Sequence, residues 1–168
     1  SNVLVAILLC LSLAAFSRPA AAEDIPLRNV DGFYKAPVRL NNVVTLDFAL
    51  DTGAADVSMS DDVVTALMRS GAIAPGDLRG SRTYMLADGS KIQCRALVIR
   101  TMAVGSNQAS DVEGSTCPGK ALLLLGQSFF KKLGSVSIDF QKNVMIVKPG
   151  AVEVAAVAPP PAAAASSA

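Results

Sequence analysis

A small, mostly antiparallel all-β domain with two short helices, closed enough to form a barrel, is the fold class that the sequence predicts. Three observations carry it. Apolar and polar residues alternate with a period of two through the middle of the chain, as in Val44 to Leu50 and Val136 to Phe140. Residue pairs suited to tight turns, Asn41-Asn42 and Asp88-Gly89, stand between such runs. Helical spacing of apolar residues is confined to two short stretches, one opening at Ser60 and one at Gln127.

The 168 residues suffice for one domain with a real core, and the two ends differ from the middle. Val3 to Phe16 is a nearly unbroken apolar run, followed by small residues at Ala20 to Ala22 and the acidic pair Glu23-Asp24. That order is expected of a secretory signal peptide over residues 1–22, cleaved after Ala22. The run is short of the about 20 apolar residues that span a bilayer, although no basic segment precedes it; retention as a membrane anchor through residues 3–16 is the other reading. Residues 151–168 are rich in Ala and Pro, have no alternation, and are expected to form a disordered tail. The mean hydropathy of +0.43 therefore owes much to the ends. The working domain is read as residues 25–150.

Charge and absences narrow the function. A net charge of +1, with no basic block, argues against a nucleic-acid partner. Without histidine, the chain cannot hold a Ser-His-Asp or Cys-His arrangement, nor an H-E-x-x-H metal site. Three widely spaced cysteines do not suit a structural zinc site, so no metal and no cofactor are expected. Cys10 lies in the apolar run and would leave with a signal peptide. Cys94 and Cys117 remain as an even pair that can form a disulfide, though sequence does not fix their separation.

The elements follow in order. Val38 to Leu40 and Val43 to Leu50 flank Asn41-Asn42 as a hairpin, with Val44, Leu46, Phe48 and Leu50 on one face and Thr45, Asp47, Ala49 and Asp51 on the other. Ser60 caps a helix whose first turn carries Asp61 and Asp62. Its apolar stripe is Val63, Val64, Leu67 and Met68, and Arg69 and Gly71 close it. Arg82 to Ala87 and Ser90 to Ile99 form a second hairpin around Asp88-Gly89. Gly105 to Gly119 reads as a turn region leading into Leu122 to Leu125 and Gly126. A helix over Gln127 to Leu133, with Gly134 past its end, precedes a last hairpin through Val136 to Phe140 and Val144 to Val147.

Chemistry concentrates in Phe48-Ala49-Leu50-Asp51-Thr52-Gly53-Ala54. A carboxylate ends a strand there, followed by a hydroxyl residue and by a glycine that lets backbone N–H groups approach the acid. Asp56, Asp61 and Asp62 follow closely, but their positions past the loop and at a helix start suit capping better.

This segment resembles the active-site loop of retropepsin-like aspartic proteases, and the resemblance continues down the chain. Tyr84-Met85-Leu86-Ala87-Asp88-Gly89-Ser90 is similar to the family's flap hairpin. Leu124-Leu125-Gly126 followed by Gln127-Ser128-Phe129-Phe130 resembles its apolar-apolar-Gly motif and short helix, and the last hairpin its closing strands. The similarity runs from Pro37 to Lys148 and is greatest to the single-domain bacterial type with an N-terminal hydrophobic segment. Ala55 departs from a position that is often a small hydroxyl residue, and Asp88 from one that is often Asn or Gly.

The resemblance implies a retropepsin-like closed barrel and an aspartic endopeptidase acting on a peptide or protein substrate, in the periplasm or outside the cell, or anchored to the inner membrane. Asp51 would be the catalytic acid, with Thr52 bracing the loops across a dimer axis and Gly53 donating N–H to the carboxylates. Ala54 would line the cleft, Leu86, Ala87, Asp88 and Gly89 would form the flap tip over the substrate, and Leu125 and Gly126 would pack beneath the loop. The chemistry needs two carboxylates, one ionised and one protonated, and the chain has one Asp-Thr-Gly. The second is therefore expected from another copy of the chain, a homodimer in which the pair of Asp51 carboxylates shares a proton. A catalytically silent peptide-binding module on the same fold is the alternative. A lipocalin-like barrel for small ligands has too few strands and no aromatic pocket in its favour.

Overall fold

The computed structural model describes residues 21–86, 88–119 and 122–148. The apolar segment over residues 3–16, the Ala/Pro-rich tail over 151–168 and the flap residue Ala87 lie outside them. No helix among the described residues is long and apolar enough to cross a membrane.

Eleven strands and two α-helices follow one another among the described residues. β1 (Glu23–Pro26), β2 (Arg28–Val30), β3 (Phe33–Leu40), β4 (Val44–Leu50) and β5 (Val57–Ser60) lead into α1 (Asp61–Arg69). After a short 3-10 turn at Pro75–Asp77 come β6 (Leu78–Met85), β7 (Lys91–Val104), β8 (Asn107–Cys117) and β9 (Leu124–Leu125). α2 (Gln127–Leu133), β10 (Ser135–Asp139) and β11 (Val144–Lys148) complete the fold. Eight strands form one sheet in the order β2-β3-β4-β9-β5-β8-β7-β6. A further antiparallel pairing of β3 with β7, Arg39 opposite Ala103 and Leu40 opposite Met102, bends that sheet back on itself and closes the barrel. A second sheet, β1-β11-β10, covers one side.

The turn chemistry fixes the first hairpin. Asn41 and Asn42 adopt φ of 47° and 58°, a conformation that Asn tolerates better than most residues, and the Val43 N–H donates to the Leu40 carbonyl at 2.9 Å. Register then places Phe48 opposite Ala36, both fully buried, so the core face of β4 meets the core face of β3. Val38, Leu40, Met59, Leu97, Ile99 and Met102 join Phe48 in one cluster. α2 has seven residues, too few to be stable alone, so burial of Phe129 and Leu133 holds it. A side chain of Phe129's size contributes about 2–3 kcal/mol when fully buried.

Three expectations need correction. Residues 105–119 do not form a turn region: β8 occupies most of it, pairing antiparallel with β7 and parallel with β5. Its buried positions are Ala109, Val112, Gly114, Ser115 and Thr116, mostly small or polar, so its alternation carries little hydrophobic contrast. Ser60 stands at the N-cap of α1 but makes no capping bond to the backbone; its hydroxyl donates to the Asp62 carboxylate instead. Asp56 does not cap either: its carboxylate accepts from the Tyr84 and Arg82 side chains of β6.

Candidate active site

β4 brings the chain into the centre of the sheet and ends at Leu50, so Asp51 stands at a strand end held on both sides. Its N–H donates to the Leu125 carbonyl at 3.1 Å, and the preceding Ala49 N–H to the Leu123 carbonyl at 2.8 Å. The carboxylate is held from below: Oδ1 accepts the Gly53 N–H at 2.9 Å and the Ala54 N–H at 3.2 Å. A Cβ on Gly53 would stand 3.2 Å from that same oxygen, closer than a side chain is comfortably placed. Oδ2 accepts no hydrogen bond among the described residues, which leaves it available to a water or a substrate.

The rest of the loop is pinned by the start of α2. The Gln127 N–H donates to the Ala54 carbonyl at 2.9 Å and the Ser128 N–H to the Ala55 carbonyl at 3.0 Å. Gly126 is the residue on which this depends. A Cβ there would lie 2.5 Å from the Asp56 carbonyl carbon and 2.9 Å from the Ala54 oxygen, so only glycine fits without moving the loop. Leu125 beside it is fully buried. Thr52 faces elsewhere: its carbonyl accepts the Gln127 side-chain N–H at 2.9 Å, and the residue lines a separate recess with Phe130, Lys131 and Phe140.

Above Asp51 runs a cleft of about 590 Å³, lined by Asp51, Gly53, Ala54, Asp56, Tyr84, Met85, Leu86 and Ile92 among others. Its roof is the β6–β7 hairpin. The Gly89 N–H donates to the Leu86 carbonyl at 2.9 Å and the Leu86 N–H to the Ser90 carbonyl at 2.8 Å, with Gly89 at φ 81°. Asp88 Oδ1 accepts the Ser90 hydroxyl at 2.7 Å and its N–H at 2.9 Å. The Ser90 hydroxyl first, and its N–H second, hold the Asp88 carboxyl below the usual range. Met85 and Leu86 are exposed at this tip and give the cleft an apolar rim. Asp88 and Gly89 shape the turn and do not line the cleft.

Sequence reasoning missed a second acid in this cleft. Asp56 is 8% exposed, and its Oδ2 accepts the Tyr84 hydroxyl and, at 3.3 Å, an Arg82 N–H. Burial first, and then the hydrogen bond to Asp56, push the Tyr84 phenol above its usual range. The signal that could have found the contact is the i, i+2 spacing of Arg82 and Tyr84, which puts both on one face of β6. Cys94 and Cys117 also meet here. They form a disulfide with Cα atoms 4.5 Å apart, joining β7 beneath the flap to the end of β8, where Cys117 lines the cleft. Among the described residues no group of three or more Cys, Asp or Glu side chains could hold a metal ion.

Comparison with known proteins agrees with this geometry. The family model described as "gag-polyprotein putative aspartyl protease" matches residues 36–132, which span both the Asp51 loop and Gly126. No curated protein matches the chain. Among solved structures, the crystal structure of a retropepsin-like aspartic protease from Rickettsia conorii is similar. It has 25% sequence identity and a TM-score of 0.57, over 76% of this chain and 89% of that one. With an acid at a strand end, a glycine-dependent loop, a hairpin roof and a family match over most of the barrel, the chain belongs to the retropepsin-like aspartic proteases.

Proposed function

We propose that the chain is an aspartic endopeptidase that works as a homodimer, with two Asp51 carboxylates, one from each copy, holding and activating the attacking water. One observation carries the reading. Peptide hydrolysis by this chemistry needs two carboxylates, and of the two acids lining the described cleft Asp56 is already occupied by Tyr84 and Arg82. Asp51 is the one of the two that no side chain among the described residues engages, its carboxylate being held by backbone N–H groups alone, so its partner acid is expected from a second copy. A two-fold axis beside the loop supplies an identical group and lets the pair share one proton.

The recess beside Thr52 supports a place for the second copy. It is about 470 Å³, its lining includes Phe130, Val136, Ile138 and Phe140, and Phe140 is 58% exposed. The substrate would lie extended across Asp51 beneath Met85 and Leu86, pairing as an added strand, with the flap closing to exclude water. The Cys94–Cys117 bridge supports an oxidising workplace, periplasmic or secreted. Fractionation that finds the chain only in a reducing cytoplasm would count against that location.

The test is cleavage of an unfolded protein by wild type and by Asp51→Asn, alone and mixed. Loss of a positioned acid–base group costs about 10²–10⁴-fold in rate. Excess Asp51→Asn should also suppress wild-type activity by subunit exchange. Equal cleavage by the two proteins removes the catalytic assignment, and undiminished activity in the mixture removes the shared site.

A further inference from the structure

The buried acid Asp56 takes no part in the chemistry just described, yet it is among the best-held groups near the cleft. Its main chain is packed closely against Gly126, which fixes where its side chain leaves the Asp51 loop. Both its described partners, Arg82 and Tyr84, belong to β6, and residues two apart on a strand point to the same side. β6 is an edge strand, pairing in the sheet with β7 alone, and its last residue, Met85, is 71% exposed. Among the described residues, therefore, no ladder bond ties the free side of the flap to the floor of the cleft.

The contacts continue outward from Arg82. Its guanidinium also reaches Glu113 of β8 at 3.2 Å, and the Glu113 carbonyl accepts the Ser128 hydroxyl at 2.6 Å. The Ser128 oxygen in turn accepts the Val57 N–H at 3.1 Å, the residue after Asp56. Flap strand, cleft wall, helix start and active-site loop are thus joined in one ring. The Arg82–Glu113 pair is exposed on both sides and contributes little by itself. The Tyr84–Asp56 bond is the sheltered link.

We infer that Asp56 is a positioning residue that latches flap strand β6 to the active-site loop through Tyr84 and Arg82, and so sets the height of Met85 and Leu86 over Asp51. This rests on reading the chain as a protease whose roof is a flap. A latch of this kind acts before chemistry: it keeps the cleft pre-shaped for an extended peptide, and its loss weakens substrate capture more than turnover.

The experiment compares wild type with Tyr84→Phe, Asp56→Asn and the double variant, using the full chain. Amide hydrogen exchange over residues 78–86, measured without substrate, should be about fivefold faster in each single variant, as loss of one net hydrogen bond implies. The double variant should exchange more slowly than the product of the two single effects, because both changes break the Tyr84–Asp56 bond, while Tyr84→Phe also releases Ser115 and Asp56→Asn also weakens the hold on Arg82. Exchange over residues 135–148 should not change. With an unfolded protein as substrate, KM should rise about three- to tenfold while kcat stays within about twofold. Unchanged exchange over 78–86 in Tyr84→Phe, which keeps the ring and its packing, overturns the latch, as does multiplication of the two effects. Exchange needs no catalysis, so a wild type that cleaves nothing yet shows the faster exchange in its variants would retain the latch and remove the protease reading.

Discussion

The main chain of Asp56 passes so close to Gly126 that no side chain can be added between them. The loop carrying Asp51 and the N-terminus of α2 are consequently one rigid corner, tied by the Gln127 and Ser128 N–H bonds to Ala54 and Ala55. Gly126→Ala should destabilise the protein by about 3 kcal/mol or more, since the obstacle is backbone and cannot rotate away. Urea unfolding measures it, and a variant as stable as wild type would show that the corner can open.

A second expectation concerns acid. Asp88 has its carboxyl lowered by Ser90, so its folded pKa lies below the unfolded one. The contribution to stability is then present above the unfolded value, about 4, and is lost as pH falls through the folded value. The flap turn should keep its charge, and its closure, across mildly acidic conditions. Ser90→Ala should move the Asp88 titration, followed by NMR, upward toward the ordinary carboxylate range; an unmoved midpoint would refute the hydroxyl's role.

Tyr84 behaves with the opposite sign. Its folded pKa is raised, so the protonated hydroxyl stabilises the fold below the unfolded value near 10, and that stability disappears as pH rises through the folded value. In a Tyr34→Phe background, absorbance titration reads Tyr84 alone. Asp56→Asn should lower its midpoint without returning it to the unperturbed value, because burial, the larger cause, remains. A full return to that value would assign the whole shift to Asp56.

The Cys94–Cys117 bridge closes a loop over a sequence separation of 23 residues. Chain-entropy reasoning gives it about 3 kcal/mol. A Cys94→Ala, Cys117→Ala double variant should lose about that much stability in denaturant. No measurable loss would mean that the β7–β8 ladder already supplies the constraint.

Catalysis by a proton-sharing pair should be fastest at acidic to mildly acidic pH and should fall as that proton is lost. A rate profile flat from acid into alkali would be inconsistent with it.

Much of this was legible in the chain because turn chemistry is local. Asn41-Asn42 and Asp88-Gly89 mark their hairpins without help from tertiary contacts, and Asp51-Thr52-Gly53 followed far downstream by Leu125-Gly126 announces the loop and the support beneath it. What stayed hidden depends on distant partners. β8 buries Gly114 and Ser115 where a strand is expected to show valine or isoleucine, because a Cβ on Gly114 would lie 3.0 Å from the Val57 carbonyl of its parallel neighbour. β9 has two residues and no pattern of its own. Asp56 reads as a capping residue because its partners are 26 and 28 positions away.

Glu23 lies opposite Val147 in the three-stranded sheet, so β1 opens the domain beside the strand that ends it. The first residue of β1 and the last of β11 therefore stand side by side at one end of that sheet. A short linker across that gap should permit circular permutation, with new termini cut elsewhere at an exposed turn such as the one after Asp139, while leaving the ladder whole.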